Sequence, residues 1–174
     1  MRPFAFPAPM AQAAGFRFID IPADARGPAL TGAVWSPCVA PPQEIKFRFA
    51  TIPAVQNCPV VGDRLPLIVL SHGSGGWFGA HRGTAAMLAD AGFVVAAVDH
   101  PGDNTTDRSR TDTLSILLDR PTDVRTDFML DAWPEASKLD RERIGFFWLF
   151  ARRLYRPGDR GWPARHFKHR PALP

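Results

Sequence analysis

The stretch from residue 65 to residue 98 constrains the fold more than any other part of the sequence. It begins with a continuous apolar run at 65–70 (LPLIVL), which is typical of a strand covered on both faces. A glycine-rich turn at 71–76 (SHGSGG), a helical pattern over 80–91 and a second apolar run at 93–98 follow it. A strand, a helix and a parallel strand in this order predict an α/β sheet with helices on its faces.

The flanking segments extend this pattern on both sides. Residues 15–21 alternate apolar and polar positions and predict a strand, with residues 29–35 as its partner after a turn. Farther along, the patterns predict a short helix at 111–118, a longer helical stretch at 121–139 and a third parallel strand at 143–147 (RIGFF). The chain is therefore predicted to have an α/β fold, the N-terminal part of a doubly wound sheet.

The glycine-rich turn after the first apolar run carries the strongest chemical signal. Its glycines allow the backbone to approach a ligand closely, and such a loop can point N–H groups at a developing oxyanion in acyl transfer. The turn fits neither a Walker loop, because no Gly-Lys-Ser/Thr follows, nor a dinucleotide fingerprint, which needs glycine where Phe78 stands. A glycine-rich turn without chemistry is the alternative.

Asp99 and His100 follow the second apolar run, at the carboxyl end of a predicted strand, where clefts form in such sheets. Adjacent residues of a strand point to opposite faces, so this pair does not face one metal ion. We therefore expect neither a metal site nor a cofactor. We assign His72, Gly75, Gly76 and His100 to a substrate cleft; a structural role for Asp99 and His100 is the alternative.

The N-terminal segment and the two cysteines bear on cellular location. Residues 1–14 combine a basic start, a short apolar stretch and a small-x-small pattern, which predicts a signal-peptide remnant; an unstructured start is the alternative. Cys38 and Cys58 flank a proline-containing loop that a disulfide would close, adding about 3 kcal/mol; two buried free cysteines are the alternative. If the two cysteines form a disulfide, we expect the protein to be secreted or periplasmic. If the N-terminal segment is not a working signal, we expect it to be cytoplasmic. The sequence contains no run of about 18 apolar residues, so it predicts no transmembrane helix.

The basic charge of the chain is confined to residues 148–174. The net charge is +4, which by itself suggests a nucleic-acid partner. Residues 1–147 contain 14 Lys and Arg against 16 Asp and Glu, whereas residues 148–174 contain 7 against 1. The body is mildly acidic, so we expect no nucleic-acid partner for it.

Residues 15–147 resemble the first half of the predicted dienelactone hydrolase group of α/β-hydrolases, which is related to plasma-type platelet-activating-factor acetylhydrolases. The matching stretches are GFRFIDIP, GAVWSPC, LPLIVLSHGSGG, LADAGFVVAAVDHPGD, DRSR, LLDRPTDV and LDRERIGFF. The resemblance implies a serine hydrolase acting on a small ester or lactone, with its triad in the chain order Ser-Asp-His. It also implies an oxyanion hole at Gly73 and Ser74, half of it formed by the Ser74 N–H. Ser74 is not the nucleophile, because H-G-S-G-G is not the G-x-S-x-G elbow.

The resemblance ends where the nucleophile is expected. In these enzymes the strand that matches 143–147 leads into the elbow, but here it leads into WLFARRLY, and no serine follows Ser137. The resemblance therefore implies a sheet that is truncated after the strand preceding the elbow, and a chain without catalytic residues. The expected organisation is a signal remnant at 1–14, a partial α/β-hydrolase domain at 15–147 and a basic tail at 148–174.

The genetic code permits an explanation of the tail. Dropping the first base of the Trp148 codon, TGG, leaves a Gly codon, and the following shifted codons permit Phe, Ser, Arg, Gly, Gly and Tyr. One extra base near codon 148 would make 148–174 an out-of-frame, disordered tail; a genuine basic tail that binds an acidic surface or nucleic acid is the alternative. We therefore predict an ester-hydrolase fragment that is inactive as given. A non-catalytic ligand- or partner-binding module with a basic C-terminal arm is the other function class.

Overall fold

A computed structural model describes residues 13–148 of the chain, except residues 26, 48–49, 112, 114 and 124–132. The strands are β1 (Gly15–Ile21), β2 (Leu30–Ser36), β3 (Gln43–Phe47), β4 (Ala50–Gln56), β5 (Leu65–Ser71), β6 (Val94–Val98) and β7 (Leu139–Trp148). The helices are α1 (Arg82–Asp90) and α2 (Ser115–Asp123), with short 3-10 turns at Phe78–His81 and Ala136–Lys138. Most of the predicted signal remnant (1–12), the centre of the predicted long helix (124–132) and the tail after residue 148 lie outside the described residues.

The strands form a mixed seven-stranded sheet in the order β3-β4-β1-β2-β6-β5-β7. Strand β5 runs parallel to both of its neighbours, β6 and β7, while β2 runs antiparallel to β1 and β6. The predicted α/β sheet is therefore confirmed, including the partnership of the first two strands. Because β5, β6 and β7 are parallel, the residues that follow β5 and β6 leave the sheet at the same edge.

Both faces of the central strands are covered, as their continuous apolar sequences predicted. In β6, Val94, Ala96 and Val98 belong to one buried cluster, whereas Val95 and Ala97 belong to another. The second cluster also contains Ala85 and Ala89, one helical turn apart on α1. Alternation along a strand thus distributes a wholly apolar segment between two cores and anchors β6 at the centre of the sheet.

The segment between the two cysteines differs from the prediction. We expected a loop because of its prolines, but β3 and β4 form an antiparallel hairpin there, in which Glu44 lies opposite Pro53. Ile52 and Ala54 are buried on either side of the exposed Pro53, which is the alternation of a strand. Proline is tolerated near the sheet edge, and β4 pairs with β1 at only two positions.

Cys38 and Cys58 form a disulfide across the base of this hairpin, with their Cα atoms 6.1 Å apart. Both cysteines are buried. The bond closes a segment that the two strands already order.

The boundaries of the later elements are also corrected. Helix α2 begins at Ser115, four residues after the predicted start, because Thr111 and Thr113 use their hydroxyls in turn contacts with Asp103 and Arg110. Pro121, expected in the first turn of a long helix, instead lies in the last turn of α2. Residues 133–138 form turns, and β7 begins at Leu139, four residues before the predicted strand.

Strand β7 is the last strand of the described sheet, and its apolar end is exposed. Phe146 is 56% exposed and Phe147 is 44% exposed. Neither described α-helix is long and apolar enough to cross a membrane.

Candidate functional site

The glycine-rich loop and the Asp99–His100 segment meet at the carboxyl edge of the sheet. The loop starts directly after Ser71 at the end of β5, and Asp99 follows the end of β6, which is its parallel neighbour. The Thr105 N–H donates to the Gly76 carbonyl at 2.8 Å, which ties the two loops together. The structure thus brings all the predicted loop residues to one place.

A buried carboxylate organises the glycine-rich loop. Asp103 is fully buried, and its Oδ1 accepts the Gly75 N–H at 2.8 Å and the Ser74 hydroxyl at 3.3 Å. Its Oδ2 accepts a hydrogen bond from Arg120, with which it forms a buried ion pair. Although burial raises the pKa of Asp103, the hydrogen bonds from Arg120, Gly75 and Thr111 outweigh it and hold the pKa below the usual value.

Two backbone N–H groups of the loop have no acceptor among the described residues. The Gly75 N–H is bound by Asp103, the Gly76 N–H donates to the Gly73 carbonyl at 2.9 Å, and the Phe78 N–H donates to Asp99 at 2.6 Å. Within the described part of the chain, the N–H groups of Gly73 and Ser74 have no such acceptor. Gly75 has a φ of +62°, the left-handed conformation that turns the loop at this point. Two adjacent, unengaged N–H groups in an ordered loop can bind an oxyanion.

His72 lies beneath the loop as a neutral side chain. Its Nδ1–H donates to the Gly73 carbonyl at 2.8 Å, and its Nε2 accepts the His100 backbone N–H at 3.2 Å. Burial lowers its pKa to about 4, and the neighbouring His100 and Arg120 act in the same direction. The Asp99 carboxylate, 3.9 Å away, therefore faces an uncharged imidazole at neutral pH.

A series of buried hydrogen bonds links Ser71, His100 and Asp123. The Ser71 Oγ lies 2.8 Å from His100 Nε2, and His100 Nδ1 lies 2.9 Å from Asp123 Oδ2. Because an ionised carboxylate only accepts, the imidazole carries its proton on Nδ1, and Nε2 accepts from the Ser71 hydroxyl when the ring is neutral. These connections match a Ser-His-Asp triad, but Ser71 is 1% exposed and His100 is 0% exposed. A substrate cannot reach Ser71 in this arrangement, so its role here is structural.

The predicted site residues thus differ in their exposure to solvent and in their contacts with protein atoms. Gly73, Ser74 and Gly76 are partly exposed, whereas His72 and His100 are buried and bonded to protein atoms. The assignment of these histidines to a substrate cleft stays a prediction. No three His, Cys, Asp or Glu side chains of the described ranges lie together as metal ligands would.

Sequence reasoning missed Asp103, Arg120, Asp123 and the role of Ser71. Arg120 and Asp123 are three residues apart on α2, which in the sequence has the appearance of an ordinary charged helix face. Their partners lie between 17 and 48 residues away along the chain. The only local signal is the position of Ser71 and Asp103 beside the two predicted loops.

Comparison with known proteins found one family and two relatives that match part of this chain. Residues 43–123 match the family described as platelet-activating factor acetylhydrolase, isoform II. A platelet-activating factor acetylhydrolase of Cavia porcellus is 42% identical over 58 residues, which are 33% of this chain and 13% of that protein. A platelet-activating factor acetylhydrolase of Canis lupus familiaris is 42% identical over 55 residues, which are 31% of this chain and 12% of that protein. The matched segment is therefore a small part of the length of these relatives.

A solved structure shares the architecture. A ferulic acid esterase from Streptomyces cinnamoneus superposes with a TM-score of 0.56 at 21% identity, over 82% of this chain and 53% of that chain. At that identity, the likeness concerns the fold alone. Residues 43–123 of this chain are thus similar to the esterase family that includes the platelet-activating factor acetylhydrolases, and the chain shares the α/β fold of a solved esterase.

Proposed function

We propose that this chain carries the oxyanion-binding part of a carboxylic ester hydrolase. In this proposal the backbone N–H groups of Gly73 and Ser74 bind the oxygen of an ester or lactone carbonyl as it becomes negative. The observation that carries the proposal is that these two N–H groups have no acceptor among the described residues, while those of Gly75 and Gly76 are engaged. The substrate is a small molecule, and the proposal includes no cofactor.

The energetic argument depends on preorganisation. A donor that already points at the developing charge needs no reorganisation during the reaction, and one such donor contributes about 3 kcal/mol in acyl-transfer enzymes. Here the loop is held by hydrogen bonds to Asp103 and His72, whose side chains are both buried. A backbone fixed in this way supports the assignment of the oxyanion hole to Gly73 and Ser74.

We further propose that the chain as given does not turn over esters. The sequence holds no G-x-S-x-G after β7 and no serine beyond Ser137, so the nucleophile, the triad Asp and the triad His of the resembling enzymes have no counterparts. Residues 15–147 then form a partial domain, and 148–174 are out-of-frame translation. The buried Ser71 does not replace the missing nucleophile, because it is only 1% exposed.

The binding claim is tested by nuclear magnetic resonance on the ¹⁵N-labelled chain. Titration with n-butylphosphonate, a non-covalent oxyanion mimic, is expected to shift the amides of Gly73 and Ser74 in a saturable manner. The amides of Gly75 and Gly76 are the internal control, because their N–H groups already have acceptors. Neutral n-butanol is the control for the apolar part of the probe. Unchanged Gly73 and Ser74 resonances at saturating phosphonate would remove the basis of the proposal.

The inactivity claim is tested separately with a short-chain aryl ester. The purified chain is expected to hydrolyse p-nitrophenyl acetate no faster than buffer, and to take no label from a serine-reactive fluorophosphonate. Turnover that the fluorophosphonate abolishes would contradict this claim. Resequencing of the source DNA across codons 140–174 separates the fragment from a non-catalytic binding module, because only the fragment hypothesis requires a surplus base near codon 148.

The disulfide supports a proposal about the location of the intact protein. We propose that it is secreted or periplasmic, since the Cys38–Cys58 bond forms and persists in oxidising compartments. Mass spectrometry after alkylation of the protein from its native source tests this. Alkylated, reduced cysteines in freshly lysed cells would instead place the protein in the cytoplasm.

A further inference from the structure

The end of α2 reaches both loops of the candidate site. Arg120 and Asp123 lie three residues apart, so they project from neighbouring positions of the helix. Arg120 is 7% exposed and Asp123 is 5% exposed, which is unusual for charged side chains. Arg120 contacts both loops, at the His72 carbonyl after β5 and at Asp103 after β6, and Asp123 contacts His100 after β6.

Arg120 holds the two ends of the segment that carries the unengaged N–H groups. One guanidinium nitrogen, Nη1, donates to the His72 carbonyl at 2.6 Å, and the other, Nη2, donates to Asp103. Asp103 in turn accepts the Gly75 N–H at 2.8 Å. The Gly73–Ser74 segment is therefore fixed on one side through His72 and on the other through Gly75. Only a planar, multidentate cation makes both contacts at once, which a lysine ammonium does not reproduce.

Asp123 acts on the same loop through His100, which follows β6. Its carboxylate accepts from His100 Nδ1 and so fixes the orientation and the tautomer of that ring. The backbone N–H of the oriented His100 donates to His72 Nε2 at 3.2 Å. His72 Nδ1 then binds the carbonyl of Gly73. The chain of contacts thus runs from Asp123 through His100 and His72 to the Gly73–Ser74 peptide group, which contains the Ser74 N–H.

The burial of this network argues for a geometric role. Removing a charged pair from water carries a desolvation penalty that often exceeds the mutual attraction, so apolar side chains of similar size would stabilise the fold at least as well. We infer that Arg120 and Asp123 are positioning residues, which hold the Gly73 and Ser74 N–H groups in the orientation that binds an oxyanion. This inference rests on the proposed function of the loop.

The test is amide hydrogen exchange on the full 174-residue chain without a ligand, comparing Arg120→Lys with the wild type. Lysine keeps the charge opposite Asp103 but cannot also bind the His72 carbonyl. We expect exchange of the Gly75 amide to accelerate about tenfold and the Gly73 and Ser74 resonances to shift. The amides of Val69 and Ala96, paired at the centre of β5 and β6, are expected to keep their protection. Arg110→Lys is the matched control, because Arg110 pairs with Asp119 and both side chains are 41% exposed.

The outcomes separate positioning from general stability. An unchanged Gly75 exchange rate, or an equal acceleration at Gly75, Val69 and Ala96, would overturn the inference, because Arg120 would then have no local effect on the loop. If Arg120→Lys does not fold, Asp123→Asn compared with Asp119→Asn on the same helix decides the question. The inference then requires the His100, Gly73 and Ser74 amides to shift in the first variant only. Because these measurements use no phosphonate, they can succeed where the oxyanion titration of the wild type fails.

Discussion

Acidification is expected to destabilise this protein through His72 in a defined pH window. The folded protein keeps His72 neutral, because burial lowers its pKa from 6.5 to about 4 and because its Nε2 already accepts the His100 N–H. In the unfolded chain the same imidazole takes up a proton near pH 6.5. The stabilising contribution is therefore complete above pH 6.5, and it is lost as the pH falls from there to about 4.

The magnitude follows from the two pKa values. A difference of one in pKa corresponds to 1.36 kcal/mol, so the change from 6.5 to about 4 amounts to about 3 kcal/mol of unfolding free energy. The side chain of His72 is 1% exposed, so solvent screening does not reduce this effect appreciably. A loss of this size is a large fraction of the stability of an ordinary domain.

The assay is urea denaturation at a series of pH values between 7.5 and 4. Between pH 7.5 and 4, the free energy of unfolding of the wild type is expected to fall by about 3 kcal/mol more than that of His72→Gln. The reason is that the variant has no imidazole to titrate at that position. His81→Gln is the control, since partial burial lowers the pKa of His81 as well. A direct titration of the His72 C2 proton completes the test. A midpoint near 6.5, or equal pH dependence in His72→Gln and wild type, would refute the argument.

Three further perturbations test other parts of the structure. Replacing Cys38 and Cys58 together by Ser is expected to lower the free energy of unfolding by about 3 kcal/mol in urea, and a reducing agent should then have no additional effect. Gly75→Ala is expected to destabilise by about 1 kcal/mol, because φ is +62° and the new Cβ would lie 3.3 Å from a neighbouring guanidinium; Gly83→Ala in α1, where a Cβ meets nothing within 4 Å, should stabilise instead. Phe146→Lys should reduce self-association measured by light scattering with little change in the urea midpoint, because the ring is 56% exposed on the last described strand. Unchanged scattering would show that the exposed end of β7 is not the associating surface.

The local patterns of the sequence predicted the main strands of the fold correctly. The apolar runs before and after the glycine-rich turn became β5 and β6, because a continuous apolar strand is stable only when both faces are covered. The hairpin of β3 and β4 was missed, since three prolines in the segment outweighed a short alternation of buried and exposed positions. Helix α2 begins later than predicted because the hydroxyls of Thr111 and Thr113 make turn contacts with Asp103 and with the Arg110 carbonyl.

The sequence by itself determined where the two loops of the candidate site lie. The turn after β5 and the histidine after β6 were identifiable because glycine and apolar periodicity act over a few residues. Tertiary structure alone decided which N–H groups of the loop have no acceptor in the described part of the chain. It also decided that His72 is neutral and that Ser71, His100 and Asp123 lie within hydrogen-bond distance. Those properties depend on pairing and desolvation between groups far apart in the chain, and both arise only when β5, β6 and α2 are packed together.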